Sequence, residues 1–111
     1  MTPEVHRVAD ATAFQPEGHQ EVSPVRPTGT ATGETLGVVL STYEPGAHAE
    51  WSPMALDTVC VLQSGRSSIT LEDGAVQLGH LDSVFLPDGC LRAVDNLTSD
   101  PGSMLVIRPV A

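Results

Sequence analysis

Short apolar runs that end at glycine or proline dominate the chain from residue 35 onward. Segments such as TLGVVLSTY (35–43), TVCVLQS (58–64) and SMLVIRP (103–109) are about one strand long and rich in β-branched residues. No segment of useful length has the hydrophobic period of a helix. Ten glycines and nine prolines punctuate the 111 residues. The pattern predicts an all-β domain, a sandwich or a barrel.

The clearest turn signal lies within SSITLEDGAVQL. Asp73-Gly74 separates two apolar-rich segments, which is typical of a two-residue type I′ hairpin. EPG (44–46) is expected to end the strand before it, and DSVFLPDG (82–89) reads as a short strand closed by a turn. Several antiparallel strands with tight connections are therefore expected.

The charge of the chain excludes some classes of partner. The formal net charge is −9, with only five Lys or Arg, so the surface repels nucleic-acid phosphates and anionic lipids. The N-terminal segment lacks the apolar core of a signal peptide, and no stretch is long enough to span a bilayer. We expect a cytoplasmic protein with no nucleic-acid or membrane partner. In that compartment a Cys60–Cys90 disulfide is not expected.

The order of these features resembles the cupin family, whose fold is a jelly-roll β-barrel, or double-stranded β-helix. The first cupin motif is G-x5-H-x-H-x3-E-x6-G, and Gly46 and Gly65 match its two ends without a gap. In the second motif, G-x5-P-x-G-x2-H-x3-N, three framework positions are matched, at Pro87, Gly89 and Asn96, and Leu81 stands at the opening glycine. The resemblance implies a barrel over residues 35–111 and an N-terminal arm or edge strand over residues 1–34.

The four positions that bind metal in the family carry other residues in this chain: Ser52, Met54, Thr58 and Arg92. A divalent metal needs several N, O or S donors that converge at bonding distance, and a guanidinium supplies none. The resemblance therefore implies a metal-independent protein without a cofactor. The alternative is a displaced metal site built from His48, Glu50 and either His80 or His19.

Strand alternation predicts which side chains face the barrel interior. If Thr58 points inward, Cys60 and Leu62 do so as well, and Arg92 lies on the inner face with Val94. Together with Arg92 these positions describe a mostly apolar pocket with few polar groups, the usual form of a small-molecule site. The residues expected to bind a substrate are Ser52, Met54, Thr58, Trp51, Phe85 and Val94.

Arg92 is the most informative residue, because an interior guanidinium is costly unless it is paired or solvated. It either binds a carboxylate, enolate or carbonyl oxygen of a ligand, or forms an internal ion pair with Asp57, Asp95 or Glu50. A side chain that reaches the solvent at the barrel mouth is a further alternative.

Two further residues join Arg92 as candidate catalytic groups. Cys60 is a nucleophile or acid–base group if Arg92 lowers its pKa, and otherwise a small buried apolar side chain. His48, one strand step from Glu50, is a general acid or base at the mouth, or else a solvated loop residue.

These residues lead to a functional hypothesis. The chain is predicted to act on a small organic molecule that is acidic or carbonyl-bearing and hydrophobic, as a cofactor-free cyclase, isomerase or lyase of secondary metabolism. The alternatives are a non-catalytic binding or sensor module and a metal-dependent cupin with displaced ligands. The resemblance also implies a homodimer.

Overall fold

The fold is taken from a computed structural model, which describes residues 5, 7, 9, 12–13, 18–26 and 36–109. These residues form nine strands, which are β1 (Thr12–Ala13), β2 (His19–Arg26), β3 (Leu36–Pro53), β4 (Thr58–Ser64), β5 (Ser67–Leu71), β6 (Gly74–Leu78), β7 (Ser83–Leu86), β8 (Leu91–Asp95) and β9 (Gly102–Pro109). The predicted boundary between the arm and the barrel, at residues 34 and 35, lies outside the described residues.

The strands form a nearly closed β-barrel in which every pairing is antiparallel. Hydrogen bonds link them in the order β6-β5-β8-β3-β9-β4-β7, and β2 pairs with β3 and with β1. The strand β3 holds the barrel together, because its first half pairs with β9 and its second half with β8. The predicted all-β jelly-roll class is confirmed.

The predicted turn at EPG does not end a strand. β3 runs through it for 18 residues and bends where three successive exposed residues, Glu44, Pro45 and Gly46, face the solvent. Gly46 has φ 81, and its amide donates to the carbonyl of Asn96 at 3.0 Å. Glycine tolerates this left-handed conformation. The strand register breaks off after Tyr43 and resumes at His48. His48 and Glu50, expected in a loop, therefore lie within β3.

The hairpin between β5 and β6 forms one residue earlier than predicted. Leu71 pairs with Gly74, which leaves Glu72 and Asp73 as the two loop residues. A type I′ turn needs positive φ at both loop residues, but neither has it, and the positive φ falls on Gly74 at 138°. The hairpin is real, but its turn is not type I′.

The core occupies the barrel interior and follows the alternation of the strands. On β4, the buried residues are Thr58, Cys60 and Leu62, while Val59 faces outward. Met104 on β9 and Ile69 on β5 are fully buried in the same core. Because successive side chains point to opposite sides of the sheet, each strand has one face toward the core and one face away from it.

Candidate functional site

Arg92 is fixed on the inner side of the barrel by its partner in β3. A β-bulge lies between Ala49 and Ser52, so that Ala49 is opposite Val94 and Ser52 is opposite Arg92. Directly opposed residues of an antiparallel pair share one face of the sheet. Because Ala49 and Val94 are both buried, the second pair, Ser52 and Arg92, also belongs to the inner face.

The guanidinium of Arg92 is held by neutral oxygens. Its Nη1 donates to the carbonyl of Glu50 at 3.0 Å and to the Oγ of Ser52 at 3.2 Å. None of the carboxylates weighed as ion-pair partners forms an ion pair with Arg92 in the described structure. Asp95 binds His48, and Asp57 accepts from the amide of Asp88 at 2.8 Å.

Two nitrogen atoms of the Arg92 side chain keep their hydrogen-bonding capacity. Neither its Nε nor its Nη2 has a partner among the described residues. These atoms form a fork of donors that suits a planar oxyanion or a carbonyl oxygen.

Tyr43 lies inside the barrel next to these groups, and the sequence reasoning did not select it. Its phenol is almost entirely buried, and burial raises its pKa to about 12 against a smaller opposing effect of the Arg92 charge. Within the described chain the hydroxyl has no hydrogen-bond partner. A neutral phenol in this position can donate a hydrogen bond or a proton to a bound oxygen atom.

Cys60 faces the same interior, but its thiol is not activated. Burial raises its pKa to about 11, and the positive charges of Arg92 and Arg108 lower it by less. The neutral thiol is therefore the dominant form at physiological pH, whereas nucleophilic attack requires the thiolate. The nucleophile hypothesis requires a lowered pKa of Cys60, whereas this environment raises that pKa.

Arg108 is a second interior cation that the sequence did not single out. It lies on β9 opposite Gly37, two residues after Val106, which packs against the core. Alternation therefore places Arg108 on the inner face, where its charge acts on Cys60. The register of β9 with β3 and β4 decides which of its side chains face inward, and the sequence does not reveal that register.

Three of the expected substrate-binding residues, Met54, Thr58 and Val94, are buried in the barrel. The hydroxyl of Thr58 donates to the carbonyl of Leu56 at 2.8 Å, so it is engaged locally. Trp51 is exposed at the bulge of β3. These positions are compatible with a pocket, although their binding role stays a prediction.

Phe85 is not where it was expected. Its side chain is 59% exposed and stands opposite Val59 on the outer face of the sheet. The parity of β7 is set by its pairing with β4, where Thr58 lies opposite the buried Leu86. Phe85 therefore points away from the interior.

His48 also lies on the outer face, between the buried residues Ala47 and Ala49. Its Nδ1 contacts the Oδ1 of Asp95 at 2.6 Å, and the two residues are paired across β3 and β8. His19, in contrast, is opposite Ala49, on the face of the sheet that Ala49 shares with Val94. The register thus brings His19, rather than His48, toward the interior side.

The residues of the displaced metal site are dispersed. Glu50 is exposed, and the Nδ1 of His80 lies 2.9 Å from the carbonyl of Gln63. Among the described residues, no group of three or more His, Cys, Asp or Glu side chains is arranged to hold a metal ion. Nor does that part of the chain contain a helix long and apolar enough to cross a membrane.

Comparison with known proteins gives one clear relative in sequence. It is a Mycobacterium tuberculosis protein named "Beta-D-galactosidase Rv1717", 38% identical over 109 residues, and the match covers 95% of this chain and 94% of the relative. A search of protein-family models found no match.

Solved structures with the same fold include two named enzymes. The polyketide cyclase RemF from Streptomyces resistomycificus has a TM-score of 0.83 and 18% identity, covering 98% of this chain and 80% of that one. A sugar phosphate isomerase of the cupin superfamily from Silicibacter pomeroyi has a TM-score of 0.78 and 19% identity, covering 98% and 76%. At these identities the likeness establishes the fold alone.

Proposed function

We propose that the interior of this barrel, whose fold is that of the cupins, binds a small organic molecule and transforms it by metal-independent acid–base chemistry. The observation that carries the proposal is the guanidinium of Arg92, which lies on the inner face with no carboxylate partner among the described residues. An oxygen atom of a ligand is the natural partner for its free donors.

The interior groups support stabilisation of negative charge on that oxygen. Arg92 supplies a fixed positive charge, and the neutral phenol of Tyr43 supplies a hydrogen bond or a proton. Donors that are already oriented toward a developing oxyanion are effective in a site that excludes water. Arg92 and Tyr43 are accordingly the proposed catalytic pair, and Cys60 is proposed as a neutral wall residue that contacts the substrate.

Cyclisation or isomerisation is the reaction class that these groups suit best. Apolar walls such as Met54 and Val94 can hold a flexible substrate in a reactive conformation, while hydrogen bonds from Arg92 and Tyr43 polarise a carbonyl group and stabilise the negative charge that develops on its oxygen. The names of the two structural neighbours, a polyketide cyclase and a sugar phosphate isomerase, agree with this class. The name of the polyketide cyclase is the basis on which we propose a role in secondary metabolism.

Hydrolysis of a β-galactoside is the second candidate, favoured by the name of the 38% identical relative. Glycosidases commonly use a pair of carboxylates that flank the bond to be broken. The buried polar residues of the described chain are Ser41, Thr58, Ser67, Asn96 and Ser103, so they include no carboxylate. The interior therefore favours the first candidate.

Two other hypotheses remain as outcomes of the test. A non-catalytic binding or sensor protein would use the same pocket and Arg92 without turnover. A metal-dependent cupin with displaced ligands would lose its activity on treatment with a chelator and regain it with one metal ion.

The test is an activity panel with matched variants. The purified protein would be assayed, before and after chelation, for cyclisation of a linear polyketone, for interconversion of aldose and ketose phosphates, and for hydrolysis of p-nitrophenyl β-D-galactoside. Arg92→Ala and Tyr43→Phe should each lower kcat/KM, and Arg66→Ala, at an exposed position, should not. Activity that is indifferent to both interior variants would refute the proposal.

The expected homodimer and cytoplasmic location also stay predictions. Phe85 and Val59 leave an apolar pair exposed on the outer face, where a second copy could pack. Light scattering of the wild type and of Phe85→Ser would test the dimer, with Val76→Ser, exposed on β6, as the control. Cell fractionation would test the location.

A further inference from the structure

The barrel interior contains two guanidinium groups and no described counter-charge. Arg92 is on the inner face of β8 opposite Ser52, and Arg108 is on the inner face of β9 opposite Gly37. Cys60 lies on β4 opposite Val106, two residues before Arg108 in β9, and the positive charges of both arginines act on its thiol. The two cations thus lie on the inner face of the same barrel, on the two strands that flank β3.

Neither cation is neutralised in the described part of the chain. The ion pair found there joins His48 to Asp95 on the outer face, and the guanidinium of Arg108 makes no hydrogen bond to a described residue. The buried side chains include no Asp or Glu. A protein with a formal net charge of −9 therefore places two of its five basic residues on the inner face without an ion-pair partner among the described carboxylates.

Such an arrangement is unfavourable without a ligand. Two like charges repel each other in a partly buried site, and each loses some of its hydration. An oxyanion placed between them would remove both costs and would satisfy several unused donors at once.

We propose that the ligand carries a permanent oxyanion, a carboxylate or a phosphate, that is bound between Arg92 and Arg108. This inference rests on the proposed function, because it assigns a chemical class to the molecule that occupies the same interior. Arg108 becomes a specificity-determining residue, selecting charged molecules over neutral molecules of the same shape.

The experiment compares probes that differ only in the anionic group. Binding would be measured by isothermal titration for D-galacturonate and D-galactose 6-phosphate against D-galactose, and for 1-naphthoate against 1-naphthamide. The charged member of at least one pair should bind the wild type about tenfold more tightly or better, as expected for a charge-assisted contact. The carboxylate and phosphate arms identify which oxyanion is preferred.

Three variants assign that preference to Arg108. Arg108→Gln should lose most of it, Arg108→Lys should keep much of it because the charge is retained, and Arg66→Gln, at an exposed position outside the interior, should leave it unchanged. Circular dichroism and the Tm establish that each variant is folded. Equal binding of charged and neutral probes, including no binding of either, overturns the proposal, as does a preference that Arg108→Gln and Arg66→Gln both keep.

A second measurement needs no ligand. Arg108→Gln removes a positive charge that acts on Cys60, so the thiol should be alkylated more slowly than in the wild type at the same pH. An unchanged rate would place Arg108 away from the interior and would also overturn the proposal.

The outcomes for the inference and for the proposed function are distinguishable. Turnover of a neutral substrate that depends on Arg92, with no preference for anions, would keep the proposed function and refute the oxyanion site. A preference for anions that depends on Arg108, with no turnover of any substrate, would keep the site and make the protein a binding module.

Discussion

Ser52 and Arg92 stand directly opposite each other on β3 and β8, and a hydrogen bond of 3.2 Å joins the Oγ of Ser52 to the Nη1 of Arg92. The same Nη1 donates to the carbonyl of Glu50 at 3.0 Å. One edge of the guanidinium is thereby fixed to the β-bulge, and the opposite edge is left for a ligand. In the resemblance to cupins, these two residues occupy positions that would otherwise bind a metal.

The first prediction separates the two partners of this contact. Arg92→Ala removes the charge and all its donors, and should lower kcat/KM, or the affinity for a charged probe, by about tenfold or more. Ser52→Ala removes one neutral acceptor while the carbonyl of Glu50 remains, so its effect should stay within about threefold. Both values come from one series of steady-state or titration measurements. A larger loss in Ser52→Ala than in Arg92→Ala would mean that the guanidinium does not contact the ligand.

The second prediction concerns alkaline pH. Burial raises the pKa of Cys60 from 9.0 to about 11 and that of Tyr43 from 10.0 to about 12. The folded protein therefore keeps these protons to higher pH than the unfolded chain. The stabilisation is complete below about pH 9 and is lost as the pH rises through 11 and 12. For two units per group, the loss is on the order of 2–3 kcal/mol each.

Urea denaturation at a series of pH values between 8 and 12 would measure this loss. Cys60→Ala should flatten the decline in the free energy of unfolding between pH 9 and 11, and Tyr43→Phe should flatten it between pH 10 and 12. If the double variant retains the full decline of the wild type, other groups are responsible for it.

Much of the fold could be predicted, because turn residues and strand parity are local properties of the sequence. The alternation of Thr58, Cys60 and Leu62 on β4 follows from period two alone, and the fixed spacing of Gly46 and Gly65 pointed to the barrel. The hairpin turn shifted because Gly74 adopts a positive φ but Glu72 and Asp73, the loop residues, do not. The Asp-Gly dipeptide correctly predicted that a turn is present, but not which two residues form the loop.

The interior cations and phenol were harder to predict, because long-range register decides which face is inner. Tyr43 was placed at the end of a strand, whereas β3 continues past it through the bend at Gly46. Arg108 faces inward only because β9 is paired with both β3 and β4. His48 was expected near the pocket because it was assigned to a loop, where the sequence does not fix the direction of a side chain.

The third prediction concerns Asn96, which matches the last position of the second cupin motif and is fully buried. Its Nδ2 donates to the carbonyls of Tyr43 and Asp100 at 2.9 and 2.8 Å, and its Oδ1 accepts from the amide and hydroxyl of Thr98. Asn96→Ala leaves several of these groups without a partner and should lower the free energy of unfolding by about 2–3 kcal/mol.

Thr98→Val is the matched control for Asn96. It removes a hydroxyl that bonds the Oδ1 of Asn96 and the carbonyl and amide of Asp100, and it leaves both carbonyl contacts of Asn96 in place. Because the contacts with Asp100 are exposed, the substitution should cost about 1 kcal/mol or less. Chemical denaturation of both variants gives the comparison. Equal losses would mean that the bonds of Asn96 to the carbonyls of Tyr43 and Asp100 contribute little to stability.

The fourth prediction is a stabilising substitution at Leu81, where the second cupin motif would open with glycine. Leu81 has φ 64, and its side chain is 64% exposed. For a residue with a Cβ this left-handed conformation costs roughly 1–2 kcal/mol, and little apolar burial compensates for it. Glycine adopts the conformation freely, although it loses more backbone entropy on folding. Leu81→Gly should therefore raise the free energy of unfolding by about 0.5–1 kcal/mol.

Leu97 provides the control for that substitution. It is also an exposed leucine, but its φ is not positive, so Leu97→Gly adds backbone entropy to the unfolded chain without relieving strain and should destabilise by about 0.5–1 kcal/mol. Denaturant midpoints of the two variants should move in opposite directions.

The amide of Leu81 donates to the carbonyl of Leu62 at 2.7 Å. This bond fixes the turn before β7 against β4, and it is kept in Leu81→Gly. A fall in stability in both variants would show that the side chain of Leu81 contributes more than its backbone strain costs.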